Sequence, residues 1–367
     1  MNKKSLDADP IYVTRSVVPD SKIYSDYVAQ ILTSRNLTNS GALAKELEAK
    51  LCSFLDVPHL ALCTNGTLAL QLSLRATECA KGEIITTPFS YVASVSAILW
   101  EGYTPIFADI DEETLCLDPR NLKNTLSEAT AGIVPVHVYG NACDVEAINS
   151  FAAAHNLTTI YDAAQAFGCE YKGKSLSTYG DFAALSFHAT KVFHTVEGGG
   201  VVCHSDKAFH KLGLLRAFGH IGDTYYTLGI NAKMTELHAA MGLCLLDKVN
   251  DNIAGRKRVS EQYDSLFPSQ GLRKPKLRDN LSYNYSYYPI IFESAGIMQK
   301  ALSALKDEKI FPRRYFYPSL NTLPYLKQRA SCPVSEDIAS RVLSLPLYTE
   351  LDPAIVERIM RIILRYI

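Results

Sequence analysis

Between residues 59 and 204 short apolar runs alternate with helical stretches, and that alternation constrains the fold more than any other feature of the chain. Residues 59–63, 83–87, 105–109, 133–139, 158–161, 182–187 and 200–204 read as strands, with helices over 68–76, 91–100 and 145–155 between them. A helix over 40–56, with Leu43, Leu47, Leu51 and Phe54 on one stripe, precedes the series. Strands joined by helices must run parallel, because each crossover returns the chain to the same edge of the sheet. The expected fold class is therefore α/β: a mostly parallel sheet covered by helices on both faces, with its ligand site at the carboxyl ends of the strands.

A further helix is expected over 235–249, capped by Thr235, with Leu237, Met241, Cys244 and Leu245 on its buried side. Beyond it the composition shifts, through Arg256-Lys257-Arg258 and a Pro- and Gly-bearing stretch at 268–275. That shift divides the chain into a large domain over 1–252 and a smaller α+β domain over 253–367. In the second part 283–292 reads as a strand and 298–305 and 354–365 as helices.

Three motifs fall at or just after strand ends. The first is Thr64-Asn65-Gly66-Thr67, where amides at a helix start, with hydroxyls beside them, make a seat for a phosphate ester. A plain capped helix start has the same sequence. The second is Asp162-Ala163-Ala164-Gln165, closing the run Thr159-Ile160-Tyr161. An Asp there also serves as an ordinary N-cap. The third is Ser186-Phe187-His188-Ala189-Thr190-Lys191, followed by Glu197-Gly198-Gly199-Gly200. A lysine in such a loop is usually a solvated group.

Their order changes that reading. An Asp followed about thirty residues later by a Lys is what pyridoxal phosphate chemistry requires: an amine to bond the aldehyde and a carboxylate to hold the ring nitrogen protonated. Lys191 is the candidate catalytic residue. Asp162 is the ring-nitrogen partner, Gln165 can reach the ring hydroxyl, and Ser186 joins Gly66 and Thr67 at the phosphate.

Composition narrows the rest. Hydrophobic content of 47%, charged content of 20% and a net charge of −1 describe an ordinary globular chain and give no reason for a nucleic-acid partner. The two basic runs, at 256–258 and 273–276, read as solvated faces. Nine scattered cysteines without a CxxC pair argue for reduced thiols in a cytoplasmic protein. The basic start, Met1 to Lys4, leads into Asp7, Asp9 and Pro10 and not into an apolar signal core, and no run spans a membrane. The histidines match no metal box, and the chain has no GxSxG and no GxGxxG after a strand.

These motifs resemble those of the DegT/DnrJ/EryC1/StrS sugar-nucleotide aminotransferases, on the aspartate aminotransferase-like (type I) fold. The resemblance rests on Thr64-Asn65-Gly66-Thr67-Leu68-Ala69-Leu70, Pro135-Val136-His137-Val138-Tyr139-Gly140 and 162–168. It continues through 186–191, 197–199 and Asn231-Ala232-Lys233-Met234-Thr235-Glu236. It implies that Lys191 is the Schiff-base lysine, that Tyr91 and not Phe89 stacks on the ring, and that Asn231 reaches the phosphate of a partner subunit. A homodimer with shared sites follows from that.

L-Glutamate as donor and a nucleotide-linked keto-sugar as acceptor are likewise implied. Within the family, the run at 186–191 followed by Glu-Gly-Gly is typical of enzymes that aminate C4. Val13-Thr14-Arg15 and 37–41 are similar to members acting on dTDP-4-keto-6-deoxy-D-glucose. UDP-linked 4-keto-sugars, 3-keto-sugars, cyclitols and a non-catalytic sensor on the same fold stay open as alternatives. His188, Glu197, Arg313, Arg314, Tyr315 and Tyr317 are the candidate substrate contacts. Two positions depart from the family pattern: Val196 replaces the first glycine of Gly-Glu-Gly-Gly, and Lys233 replaces an arginine.

Overall fold

The computed structural model describes residues 9–77, 79, 82–327 and 330–367; the basic start at Met1 to Lys4 lies outside them. Its central sheet has seven strands: β1 (His59–Cys63), β2 (Glu83–Thr86), β3 (Thr104–Phe107), β4 (Thr130–Val134), β5 (Thr158–Asp162), β6 (Phe182–Ser186) and β7 (Gly199–Cys203). Their spatial order is β1-β7-β6-β5-β4-β2-β3, and every pairing is parallel except those of β7. Both faces are buried, which is why the strands read as near-continuous apolar runs. Leu60, Leu62, Tyr161 and Leu185 enter one core, while their neighbours Ala61, Cys63, Ile160 and Ala184 enter the other.

The register brings the motif-bearing ends to one edge. Gly199 pairs with both Cys63 and Ser186, and Asp162 pairs with Ala184. The glycine is required at that edge. A Cβ on Gly199 would lie 2.5 Å from the carbonyl carbon and oxygen of Asn65.

The helix Val249–Ser265 carries the chain onward, with Val249 in the first core and Val259 and Tyr263 in a separate cluster. That cluster is built on a three-stranded antiparallel sheet (Leu272–Arg273, Tyr288–Phe292, Val342–Leu345) with the helices Ala295–Asp307 and Pro353–Ile363. The amino-terminal segment straps it. Ile11–Tyr12 pairs with Ile310–Phe311, and the Val13 carbonyl accepts from the Leu347 amide at 2.9 Å.

Three expectations need correction. Residues 133–139 are not one strand. Pro135 lacks an amide to continue the ladder, and the chain turns through Val138–Gly140 with Tyr139 at φ 59°. The helix Glu236–Leu246 buries Ala239, Ala240, Leu243 and Leu246 along with Leu245, leaving Leu237 exposed and Met241 and Cys244 half-buried. Apolar residues surround this helix, so periodicity does not tell its inner face. Its first residue, Glu236, is buried and accepts from the amides of Leu43 (2.9 Å) and Ala44 (3.1 Å) at the start of the helix Ala42–Leu55.

The third correction concerns Arg256, which is 2% exposed and far from a solvated face. Its guanidinium donates to Asn252 Oδ1, to the Ser286 and Leu347 carbonyls and to Thr14 Oγ1, at 3.2–3.3 Å.

Candidate active site

Asp162 ends β5, 4% exposed, beneath the edge where the loops gather. Ser94 Oγ donates to its Oδ2 at 2.7 Å and the Ala164 amide to its Oδ1 at 3.1 Å. Ser94 sits in the first turn of the helix Ala93–Trp100, its own hydroxyl 2.9 Å from that of Ser90. Burial raises the Asp162 carboxyl above the ordinary value of 3.8, against the pull of these two donors and of the Lys191 charge. A carboxylate so placed gains by a cation brought against it.

Gln165 is also buried. The turn that interrupts the expected strand gives it a partner, since the Tyr139 amide donates to its Oε1 at 2.7 Å. Its Nε2 donates to no group among the described residues and remains a free donor.

Lys191 lies in a loop folded between β6 and β7. Loop amides pair Phe187 with the Gly198 carbonyl and Ala189 with the Val196 carbonyl, both at 2.8 Å. Its Nζ donates to Tyr287 Oη at 3.3 Å.

The third wall is the start of the helix Gly66–Ala76, where Asn65 caps the Leu68 amide at 2.9 Å. The amides of Gly66 and Thr67 and the hydroxyls of Thr67 and Ser186 have no acceptor among the described residues. A Cβ on Gly66 would lie 2.8 Å from Ser186 Cβ, so only glycine lets these donors converge. Free amides and hydroxyls for a phosphate, a free amide NH2 for a ring hydroxyl and a buried carboxylate for a ring nitrogen fit pyridoxal phosphate.

The remaining candidates divide. Phe89 is fully buried, edge-on to Tyr139 and Phe316, whereas Tyr91 is open to solvent at 58%. His188 and Glu197 face each other on the Lys191 loop, 3.8 Å apart and both exposed. Arg313 is exposed, has no carboxylate partner among the described residues and lies 5.4 Å from the Tyr315 ring. Tyr315 in turn packs at 88° on Tyr287, which leads back to Lys191.

Arg314 is half-buried and already engaged within the chain. Its guanidinium donates to the Ala339 and Ser340 carbonyls, at 3.4 and 3.2 Å, near the end of the helix Pro333–Arg341, and covers the Tyr317 ring. Asn231 is exposed, holds Lys233 Nζ at 2.9 Å and is hydrogen-bonded to no member of the cluster in its own chain.

Sequence reasoning missed Ser94, Tyr139 as a partner of Gln165, and Tyr287. Ser94 had a readable signal, three residues after Tyr91 and so on the same face of a helix start. Tyr287 had only the tyrosine density of 283–288 to mark it.

A lysine amine, a buried carboxylate and a phosphate cradle at the carboxyl edge of a mostly parallel sheet define a type I pyridoxal phosphate enzyme. The DegT/DnrJ/EryC1/StrS aminotransferase family profile matches residues 20–364. The chain is 40% identical over 358 residues to a dTDP-4-amino-4,6-dideoxy-D-glucose transaminase of Shigella dysenteriae, covering 96% of this chain and 97% of that one. An Escherichia coli protein of the same name is 36% identical over 374 residues, covering 99% of both chains. Among solved structures, DesI in the presence of its TDP-sugar product superposes with a TM-score of 0.92 at 32% identity, over 97% of this chain and 93% of that one. The chain belongs to the DegT/DnrJ/EryC1/StrS aminotransferase family, whose cofactor is pyridoxal phosphate.

Proposed function

We propose that this protein transfers the amino group of L-glutamate to C4 of dTDP-4-keto-6-deoxy-D-glucose, giving dTDP-4-amino-4,6-dideoxy-D-glucose. The observation that carries the reading is near-full-length similarity, at 40% identity, to a transaminase named for that product, with Lys191 and Asp162 placed for the chemistry.

Bound pyridoxal phosphate supplies an electron sink conjugated to the nitrogen in transit. Gly66, Thr67 and Ser186 would hold its phosphate, and Gln165 Nε2 would donate to its ring hydroxyl. Asp162 keeps the ring nitrogen protonated, the ion pair offsetting the burial of its own charge. Lys191 Nζ takes the proton from the α-carbon of glutamate, and in the second stage delivers one to C4 of the sugar. The face from which it does so fixes the configuration at C4. Tyr91, open to solvent beside the site, would stack on the ring. Arg313, with Tyr315 and Tyr317 beside it and His188 and Glu197 across the opening, receives the nucleotide-sugar.

The site is completed by a second copy. Asn231 is exposed beside an outward-facing apolar stretch that includes Phe218, Tyr225, Tyr226 and Leu228, which a partner chain would cover. All nine cysteines are free, as suits a cytoplasmic enzyme, and no helix among the described residues is long and apolar enough to cross a membrane.

The test is spectroscopic. L-Glutamate should remove the visible band of the loaded protein, and dTDP-4-keto-6-deoxy-D-glucose should restore it. A band removed by glutamate and restored only by a UDP-linked sugar, a 3-keto-sugar or a cyclitol would move the acceptor and leave the enzyme class intact.

A further inference from the structure

The cleft beside Lys191 is walled by Thr14, Thr190, Tyr287, Tyr315 and Leu347, which come from five separate stretches of the chain. Tyr287 is the wall residue that touches the amine. Lys191 Nζ donates to its hydroxyl at 3.3 Å and lies 5.9 Å from its ring centroid. The ring itself has little freedom. It packs 5.4 Å from Tyr139 and stands at 88° on Tyr315.

The backbone on either side is also tied. The Ser286 carbonyl takes a bond from the buried Arg256 guanidinium at 3.3 Å, and the Tyr287 carbonyl takes one from Tyr283 Oη at 3.4 Å. Arg256 has no carboxylate partner among the described residues and spends its donors on Thr14, Asn252, Ser286 and Leu347. Three of those four residues lie in or beside the cleft wall. A buried cation thus fixes the segment on which Tyr287 stands.

A lysine side chain has four rotatable bonds, and once its amine is released nothing covalent keeps it aimed. We propose that Tyr287 is a positioning residue that holds the released Lys191 amine by accepting a hydrogen bond from it. The hydroxyl aims Nζ at the carbons between which it carries protons. Tyr287 takes up no proton itself; Nζ remains the carrier. The proposal rests on the aminotransferase reading of the site.

Asp162 from the end of β5 and Tyr315 from the opposite wall also feel the Lys191 charge. Tyr287→Phe leaves both in place.

The experiment uses the loaded protein and compares the rate at which ordinary and α-deuterated glutamate bleach it. In Tyr287→Phe the deuterium isotope effect should rise at least about twofold, because proton carriage by the misplaced amine becomes the slow step. kcat should fall about ten- to a hundredfold through misplacement of the amine, with the KM for glutamate within about twofold. Tyr285→Phe, on the same segment with its ring on Tyr283, should match wild type in both measurements.

An isotope effect equal to that of wild type, or a kcat that does not fall, overturns the role. If Tyr287→Phe fails to load cofactor, Tyr287→His restores an acceptor on a ring. Loading with a wild-type isotope effect then supports the proposal, and loading with a raised one overturns it. Wild-type protein that shows no visible band, or no bleaching by glutamate, sinks the aminotransferase reading itself.

Discussion

The floor of the site and its mouth are built on opposite principles. On the floor, Asp162 and Gln165 are each 4% exposed, and the hydrogen bonds to their side chains come from Ser94, Ala164 and Tyr139 of the same chain. At the mouth, Tyr91, His188, Glu197, Arg313 and Asn231 are exposed, and Arg313 has no carboxylate partner among the described residues. The floor is organised before any ligand arrives, as electrostatic work on a fixed ring requires. The mouth meets a substrate that must enter, exchange and leave twice in each cycle, so its groups stay solvated until it comes. Substitutions on the floor should therefore change the chemistry, and substitutions at the mouth should change binding.

Asp162→Asn is the sharpest attack on that division. Breaking a buried charge pair costs about 3–5 kcal/mol, so kcat should fall roughly 10²- to 10⁴-fold, read by steady-state assay. The cofactor-free protein should behave in the opposite way. Burial raises the folded pKa of this carboxyl, so its contribution to stability is fully present below 3.8 and lost as pH rises through the folded value. At neutral pH the unpaired carboxylate is a cost that Asn removes, and the variant should melt above wild type, with the gap closing in acid. A cofactor-free Asp162→Asn protein that melts lower at neutral pH would show the floor to be ordinary structure.

Arg313→Ala tests the other region. A charge-assisted hydrogen bond to an anionic ligand is worth about 1.5–3 kcal/mol, so KM for the nucleotide-sugar should rise ten- to a hundredfold. The rate at which glutamate bleaches the loaded protein should be unchanged. An equal loss in both half-reactions would place Arg313 with the chemistry, and the division between floor and mouth would fail there.

The floor was also the part most legible in the sequence, for a local reason. Thr64 to Thr67, Asp162 to Gln165 and Ser186 to Lys191 each follow a strand, and a strand buried on both faces announces itself by its apolar run. What closes the site came from contacts distant in sequence. Tyr139 reaches Gln165 only because Pro135 ends the ladder and the chain turns, whereas the apolar run of 133–139 reads as one strand. Tyr287 stands 96 residues from Lys191 and no spacing relates the two. Arg256 read as solvent-facing because its neighbours are Lys257 and Arg258, yet it is the member of the run that faces inward. Arg313 and Arg314 are adjacent and chemically identical, and only the nearby carbonyls of Ala339 and Ser340 decide which is taken.

The smallest effect is expected where floor and mouth meet, in the loop that carries Lys191. Val196 has φ 70°, a conformation suited to glycine and adverse for a β-branched side chain. Its backbone is held there by bonds at both ends. The carbonyl accepts from the Ala189 amide at 2.8 Å, and its own amide donates to His194 Nδ1 at 3.2 Å. The side chain is 42% exposed, so its removal forfeits little packing. Left-handed backbone costs a residue with a Cβ about 1–2 kcal/mol, and glycine returns part of that through the freedom it gains in the unfolded chain. Val196→Gly should therefore stabilise the protein by about 0.5–1 kcal/mol, a rise of about one or two degrees in Tm by calorimetry. The strain lies in the stretch that fixes His188 and Glu197 at the mouth, beyond the bonds that hold Asp162 and Gln165. KM for the sugar should therefore move more than kcat for the glutamate half-reaction. A gain in stability with an equal loss in both half-reactions would mean that the strain of Val196 is transmitted to Lys191, and the loop would then belong with the floor.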